Sequence, residues 1–223
     1  MFKNSQLVAS ESSNLLTSKQ QRLLGAIALL VVISLLTSAG GSPIEHNVST
    51  IWEGFIWGIA DPVISLDRFA GIVALGLFSA RFTRGNCLNI TFVIAAICGQ
   101  LINLSPVILP APAIAIAICT IALGIMLVTP IPIHWLAIAL LSATAGIFQG
   151  YSDATSILGA ETFTIINFVI SVAFTQTVII MSARKIGVNF GINEINQIFP
   201  KIIRFAGLVF CAIGIVFLGY SVI

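Results

Sequence analysis

The chain has 223 residues, of which 58% are hydrophobic and only 8% are charged. Soluble domains carry about 25% charged residues, so this chain has too few charges to cover the surface of a water-soluble globule. The composition therefore excludes a cytosolic enzyme, a nucleic-acid-binding protein and a disordered chain, and it predicts an integral membrane protein folded as one unit. The net charge of +2 is too small to indicate a polyanionic partner.

The first 40 residues divide into a polar tail and an apolar run. Residues 1–22 are rich in Ser, Gln and Asn, which predicts a flexible or surface-lying cytoplasmic tail. Residues 23–40 are apolar, and we interpret them as a retained first helix or an uncleaved leader. A signal peptide is the alternative, because Thr37-Ser38-Ala39 resembles a small-residue cleavage site. Residues 23–223 are then expected to form a single transmembrane domain.

Seven apolar runs are long enough to cross a membrane, because a membrane helix needs about 20 mostly apolar residues. They are residues 23–40, 51–82, 88–105, 111–128, 133–150, 162–182 and 202–222. These runs are apolar all round and lack the period-two alternation of barrel strands. The sequence therefore predicts an all-α fold, a polytopic transmembrane helix bundle of about seven spans.

The second run is too long for one straight span, since residues 51–82 would form a helix of about 48 Å. Asp61-Pro62 interrupts it, and proline disfavours the helical conformation of the residue before it. We therefore expect a short outer helix over about 51–60, a break at Asp61-Pro62 and a span over about 65–82. A broken membrane helix needs protein or water to satisfy its backbone, which predicts a lined cavity. The alternative is an interfacial helix lying on the outer surface.

The basic residues predict the orientation, since cytoplasmic loops carry an excess of Lys and Arg. With a cytoplasmic N-terminus and seven alternating spans, all the basic residues but Arg68 fall on the cytoplasmic side. They are Lys3, Lys19, Arg22, Arg81, Arg84, Arg184, Lys185, Lys201 and Arg204. The C-terminus is then expected to face outward.

A few polar residues lie within the apolar runs, where an ionisable group costs about 2.5–3.5 kcal/mol on insertion scales. The candidate site residues are Asp61, Asp67, Arg68, Gln149, Asp153 and Gln176. We expect Arg68 to pair with Asp153, because Asp67 is its sequence neighbour and points about 100° away on a helix. Two interpretations stay open: a polar site for a cation or small solute, and an ion pair that only holds two helices together.

Five segments resemble the motifs of one family, in the same order along the chain. They are Gly54–Arg68, Leu109-Pro110, Gln149–Ala154, Phe168–Gln176 and Arg204–Gly207. Together they resemble the HupE/UreJ family of nickel and cobalt permeases over about residues 44–223, and His46 lies where that family often has a histidine. The resemblance implies a bacterial inner membrane protein, or one of an internal membrane such as the thylakoid.

The departures from the family pattern concern its metal ligands. The family's motif histidines fall on Asp61, Arg68, Gln149, Asp153 and Gln176, and only Asp67 keeps an acidic position. Nickel and cobalt favour imidazole, whereas carboxylates and amides suit harder ions or hydrogen-bonded solutes. A guanidinium is always charged and repels a divalent cation. The resemblance therefore implies a HupE/UreJ scaffold with a degenerate metal site, in which Asp61, Asp67 and Asp153 are the remaining possible metal ligands.

The expected function is transport of a cation or small polar solute. The alternative is a non-transporting accessory or assembly subunit of a larger membrane complex. We expect no enzyme, because no nucleophilic triad or phosphate-binding loop occurs in a workable position. The expected partners are the lipid bilayer, a divalent cation or small solute and, for the accessory-subunit alternative, a larger membrane complex, with no cofactor and no nucleic acid.

Overall fold

The computed structural model describes residues 48–129, 134–191 and 198–222, which form seven α-helices and no β-strand. The helices are α1 (Ile51–Ile64), α2 (Leu66–Ser79), α3 (Gly85–Asn103), α4 (Pro112–Val128), α5 (Trp135–Asp153), α6 (Thr162–Gly191) and α7 (Ile198–Val222). A 3-10 helix over Ala154–Ile157 follows α5. The predicted all-α bundle is confirmed. The predicted tail over 1–22 and the run over 23–40 lie outside the described residues.

The described helices are long and apolar enough for a multi-pass membrane protein. Four of them have the length and composition of a membrane span: α3, α5 with its 3-10 extension, α6 and α7. The pair α1 and α2 forms a fifth candidate, bent by 75°. Helix α4 is apolar except for Thr120 but has only 17 residues, a rise of about 25 Å. Each apolar run predicted between residues 51 and 222 therefore contains an apolar helix or the bent pair.

The break in the second run is real, but its predicted position is wrong. Helix α1 continues through Asp61 and Pro62 to Ile64, and the bend falls at Ser65, whose backbone is extended (φ −79°, ψ 108°). Pro62 has no N–H to donate to the carbonyl of Gly58, which weakens the helix, but the helix continues for two more residues and ends at Ile64. The residue before a proline is biased against the helical region but not excluded from it.

Glycines set the close approach of the helices. A Cβ atom on Gly58 would lie 2.8 Å from the Phe168 carbonyl oxygen, and one on Gly76 would lie 2.6 Å from that of Ile180. Both α1 and α2 therefore pack backbone to backbone on α6. Glycines also lie between α3 and α5 (Gly99, Gly146, Gly150) and between α4 and α7 (Gly124, Gly207, Gly214). Such small residues favour membrane-helix association, because they let dispersion contacts form between the backbones.

Arginines tie the helices together at one end, which we call the basic end. Arg81 follows α2 and donates to the carbonyls of Met126 (2.9 Å) and Leu127 (2.7 Å) in the last turn of α4. Arg184 of α6 donates to the Ser79 carbonyl, at the end of α2. These cations lie where two helix dipoles end, which is a favourable place for positive charge.

Two clusters of buried apolar side chains fill the bundle. The larger one contains Ile72 and Phe78 of α2, Ile138 of α5 and Ile180 of α6, and it extends toward the basic end. The smaller one contains Ile157 and Phe168 and lies toward the opposite end. The stretch of α6 between Val172 and Ile179, and that of α5 between Ala145 and Ala154, pass from one cluster to the other. A layer of buried polar side chains lies on those stretches.

We predict that Gly76→Ala destabilises the protein by about 1–3 kcal/mol, because the added Cβ would overlap α6 and force the helices apart. Gly219→Ala is the matched control, since nothing lies within 4 Å of a Cβ built there. Denaturation of the purified variants in detergent measures the difference. Equal unfolding of the two variants would contradict the close α2–α6 contact.

Candidate functional site

A buried ion pair lies at the centre of the polar residues. Arg68, in the first turn of α2, is 6% exposed, and Asp153, the last residue of α5, is 1% exposed. Arg68 Nη1 lies 2.7 Å from Asp153 Oδ1. Arg68 Nη2 donates to Ser152 Oγ at 2.8 Å. The predicted pairing of Arg68 with Asp153 is confirmed, and the neighbouring serine adds a second bond to the guanidinium.

The pair is joined to a third helix. Gln176 of α6 is fully buried, and its Nε2 donates to Asp153 Oδ2 at 3.1 Å. Each carboxylate oxygen of Asp153 therefore accepts one hydrogen bond, one from α2 and the other from α6. A charge-assisted bond of this kind is about twice as strong as a neutral one. Asp153 thus holds α2, α5 and α6 in register.

Asp61 lies on the other side of the bend, near the end of α1, and is buried. Ser156, in the 3-10 helix, has its Oγ 3.5 Å from Asp61 Oδ2 and donates to the Asp153 carbonyl at 3.1 Å. The short 3-10 helix therefore brings Asp61 next to the segment that carries Asp153. Ser152 and Ser156 are not among the six candidate site residues, although both lie within three positions of Asp153 and Ser152 is one of the polar residues of the same segment.

Asp67 is the second residue of α2 and is partly buried. Asp61, Asp67 and Asp153 all interact electrostatically with the one guanidinium of Arg68. The group therefore holds two more acidic side chains than basic ones. In a low-dielectric interior, this excess favours the approach of a cation.

Buried amides complete the site. Gln149 lies one turn before Asp153 and faces α2, with its Oε1 4.0 Å from the position of a Cβ on Gly71. Six buried side-chain atoms have no hydrogen-bond partner among the described residues, and four of them belong to glutamine amides: Gln100 Nε2, Gln100 Oε1, Gln149 Nε2 and Gln176 Oε1. A buried polar atom without a partner costs about 1–3 kcal/mol, so these amides are poor choices for a purely structural core. We call the six predicted residues Asp61, Asp67, Arg68, Gln149, Asp153 and Gln176 the polar layer.

The polar layer lies deep in the bundle. Along α2, the rise from Arg68 to Ser79 at the basic end is about 16 Å. Along α6, the rise from Gln176 to Arg184 is about 12 Å. Both distances are close to half of a hydrocarbon core about 30 Å thick. The polar layer is therefore placed near the middle of a membrane that starts at the basic end.

The acidic residues of the polar layer are not arranged as a metal centre. Within residues 48–129, 134–191 and 198–222, the structure has no group of three or more His, Cys, Asp or Glu that could hold a metal ion. Asp153 is already bonded to Arg68 and Gln176. His134 caps the other end of α5, where its Nδ1 accepts from the Leu136 N–H at 3.4 Å. Asp61, Asp67 and Asp153 therefore do not form a common ligand set in this conformation.

Comparison with known proteins identifies one family. The family model described as "HupE / UreJ protein" matches residues 27–217, which is most of the chain. No curated protein and no solved structure matches the chain.

We predict that Arg68→Met destabilises the protein by about 3–5 kcal/mol, because it leaves the Asp153 carboxylate buried without its charge partner. Replacing both partners, as Arg68→Met with Asp153→Leu, should recover most of that loss. Arg84→Met is the control, since Arg84 is exposed at the basic end. Unfolding in detergent compares the three proteins. A single Arg68 variant as stable as the control would show that the pair contributes nothing.

Proposed function

The chain belongs to the HupE/UreJ family, and from that membership we propose that it is a permease that carries a cation through the polar layer. The family is nickel/cobalt permease-like, and the described helices are those of a multi-pass membrane protein. The cation enters as substrate and is not a resident cofactor.

The acidic excess of the polar layer carries this proposal. A structural ion pair needs only Arg68 and Asp153, and that pair is already satisfied. Asp61 adds a second buried carboxyl, which is costly in a membrane unless it is paired, hydrated or functional. Its position beside Ser156 and near Arg68 gives a passing cation a carboxylate and a hydroxyl oxygen.

The ligand types favour a hard cation over nickel or cobalt. Carboxylate, amide and hydroxyl oxygens are the donors preferred by Mg²⁺, Ca²⁺ and Mn²⁺. Mg²⁺ keeps several of its waters and is bound through one or two carboxylates, so it needs no preformed cage of three acids. Such partly hydrated binding agrees with the separation of Asp61, Asp67 and Asp153.

The bend at Ser65 supports a transport role. Discontinuous membrane helices line the midplane sites of many transporters, where two half-helices meet. Here α1 brings Asp61 and α2 brings Asp67 and Arg68 to the two sides of the same bend. The apolar clusters on both sides separate the polar layer from the two ends of the bundle, so passage needs helix movement. A hinge at Ser65 would allow α1 and α2 to move separately.

We place the basic end in the cytoplasm, as the positive-inside rule requires. Arg81, Arg84, Arg184 and Lys185 lie there, whereas Glu53 and Glu161 lie at the opposite end. The membrane is then the bacterial inner membrane or an internal membrane such as the thylakoid.

A non-transporting accessory subunit is the second candidate. The observation that favours it is that both carboxylate oxygens of Asp153 accept hydrogen bonds, which join α2, α5 and α6 as a structural tie would. In this case the polar layer holds the bundle together, and uptake of cations does not depend on it.

Uptake by cells that produce the chain separates the two functions. We predict accumulation of Mn²⁺ or Mg²⁺ that falls about tenfold or more in Asp61→Asn and Asp67→Asn, because each loses one of the charges that attract the cation. Glu161→Gln removes an exposed acid at the outer end and should keep normal uptake.

Uptake of nickel or cobalt that depends on Asp67 and Asp153 would instead contradict the hard-cation proposal. If no tested cation accumulates while the protein is present in the membrane, the accessory-subunit function is favoured.

A further inference from the structure

We infer that Arg68 is a tethered cation, which occupies Asp153 in the structure and exchanges with the transported cation. This inference rests on the proposed function for the identity of its competitor. It assigns Arg68 a part in selectivity, in addition to its part in folding.

The hydrogen bonds of Asp153 show why it cannot bind the Arg68 guanidinium and a metal cation at the same time. Its Oδ1 accepts from Arg68 and its Oδ2 from Gln176, and its side chain is completely buried. A cation could reach Asp153 only if one of these two donors moved. The guanidinium is the group that a cation must displace, because two positive charges beside one carboxylate repel each other and Arg68 keeps its charge at any physiological pH.

The surroundings of Arg68 offer the displaced guanidinium other acidic partners. Arg68 lies three residues after the bend at Ser65, so a hinge there moves its backbone relative to α5. Asp67 and Asp61, which interact with it electrostatically, are alternative acidic partners. The Ser152 hydroxyl, 2.8 Å from Nη2, holds the guanidinium in its present place.

Two outcomes for the cation follow from this exchange. While Arg68 is bound to Asp153, the polar layer offers a cation only weak binding. When the cation has displaced the guanidinium, the return of Arg68 to Asp153 drives the cation out again. Arg68 therefore weakens binding and speeds release, and its removal should lower KM and the maximal rate together.

Direct binding of Mn²⁺ to the purified full chain, followed by electron paramagnetic resonance, tests the inference. We expect Arg68→Gln to bind Mn²⁺ about tenfold more tightly than the unaltered protein, in the range typical of a coupling between two ligands. Arg68→Lys keeps the positive charge and should bind as weakly as the unaltered protein. Arg84→Gln, at the exposed basic end, is the control for loss of one positive charge.

Ser152→Ala provides a second variant in case Arg68→Gln does not fold. It keeps every charge and removes one hydrogen bond that holds the guanidinium in place. We expect it to tighten Mn²⁺ binding by about threefold or more, since the competitor is held less firmly. In uptake assays, Arg68→Gln should show a lower KM and a lower maximal rate.

Unchanged or weaker Mn²⁺ binding in folded Arg68→Gln and in Ser152→Ala would overturn the inference. If the unaltered protein still takes up cations in that case, the proposed transport function stands and only the role of Arg68 is wrong. If the variants bind Mn²⁺ more tightly but none of the proteins takes up a cation, the role of Arg68 stands and the transport function is wrong.

Discussion

The contact between Arg68 and Asp153 is the interaction on which the arrangement of the bundle depends. Two opposite charges lie 2.7 Å apart at a depth where neither can reach water. Each charge would be expensive alone, so an arrangement of α2 and α5 that separated the two side chains would be disfavoured. Ser152 accepts a second bond from the guanidinium, and Gln176 donates to the other oxygen of Asp153, which extends this constraint to α6. The pair thus fixes the register of three helices around one polar layer.

The apolar parts of the structure complement this polar constraint. Glycines let α1 and α2 contact the backbone of α6, and the two apolar clusters fill the space on each side of the polar layer. Arg81 and Arg184 satisfy helix carbonyls at the basic end. The bend at Ser65 is the one feature that interrupts a described span in the middle, and it lies beside the polar layer. A site that must both hold and release a cation needs this combination of rigid packing and a local break.

The sequence was sufficient to predict the helices and the buried ion pair, because both follow from the free-energy cost of burying polar and charged groups in a membrane. The apolar runs predicted the helices. An arginine within a membrane span has few acidic residues available to pair with, so Asp153 could be predicted as the partner of Arg68. The site of the bend could not be predicted as well, because the effect of Pro62 depends on how the rest of the turn packs on α6. The contact of Ser156 with Asp61 depends on the 3-10 turn after α5, which leaves no strong pattern in the sequence. The separation of Asp61, Asp67 and Asp153 likewise depends on Arg68 being bonded to one of them. The tail over 1–22 and the helix over 23–40 remain predictions.

The competition between Arg68 and a cation for Asp153 is tested most directly by a double-mutant cycle on these two residues, measured by unfolding with and without Mn²⁺. If the cation displaces the guanidinium, the coupling energy between Arg68 and Asp153 falls as Mn²⁺ is added, because linkage makes the two effects reciprocal. A coupling energy that stays the same at saturating Mn²⁺ would show that the pair is a fixed structural tie and that the polar layer does not exchange it for a cation.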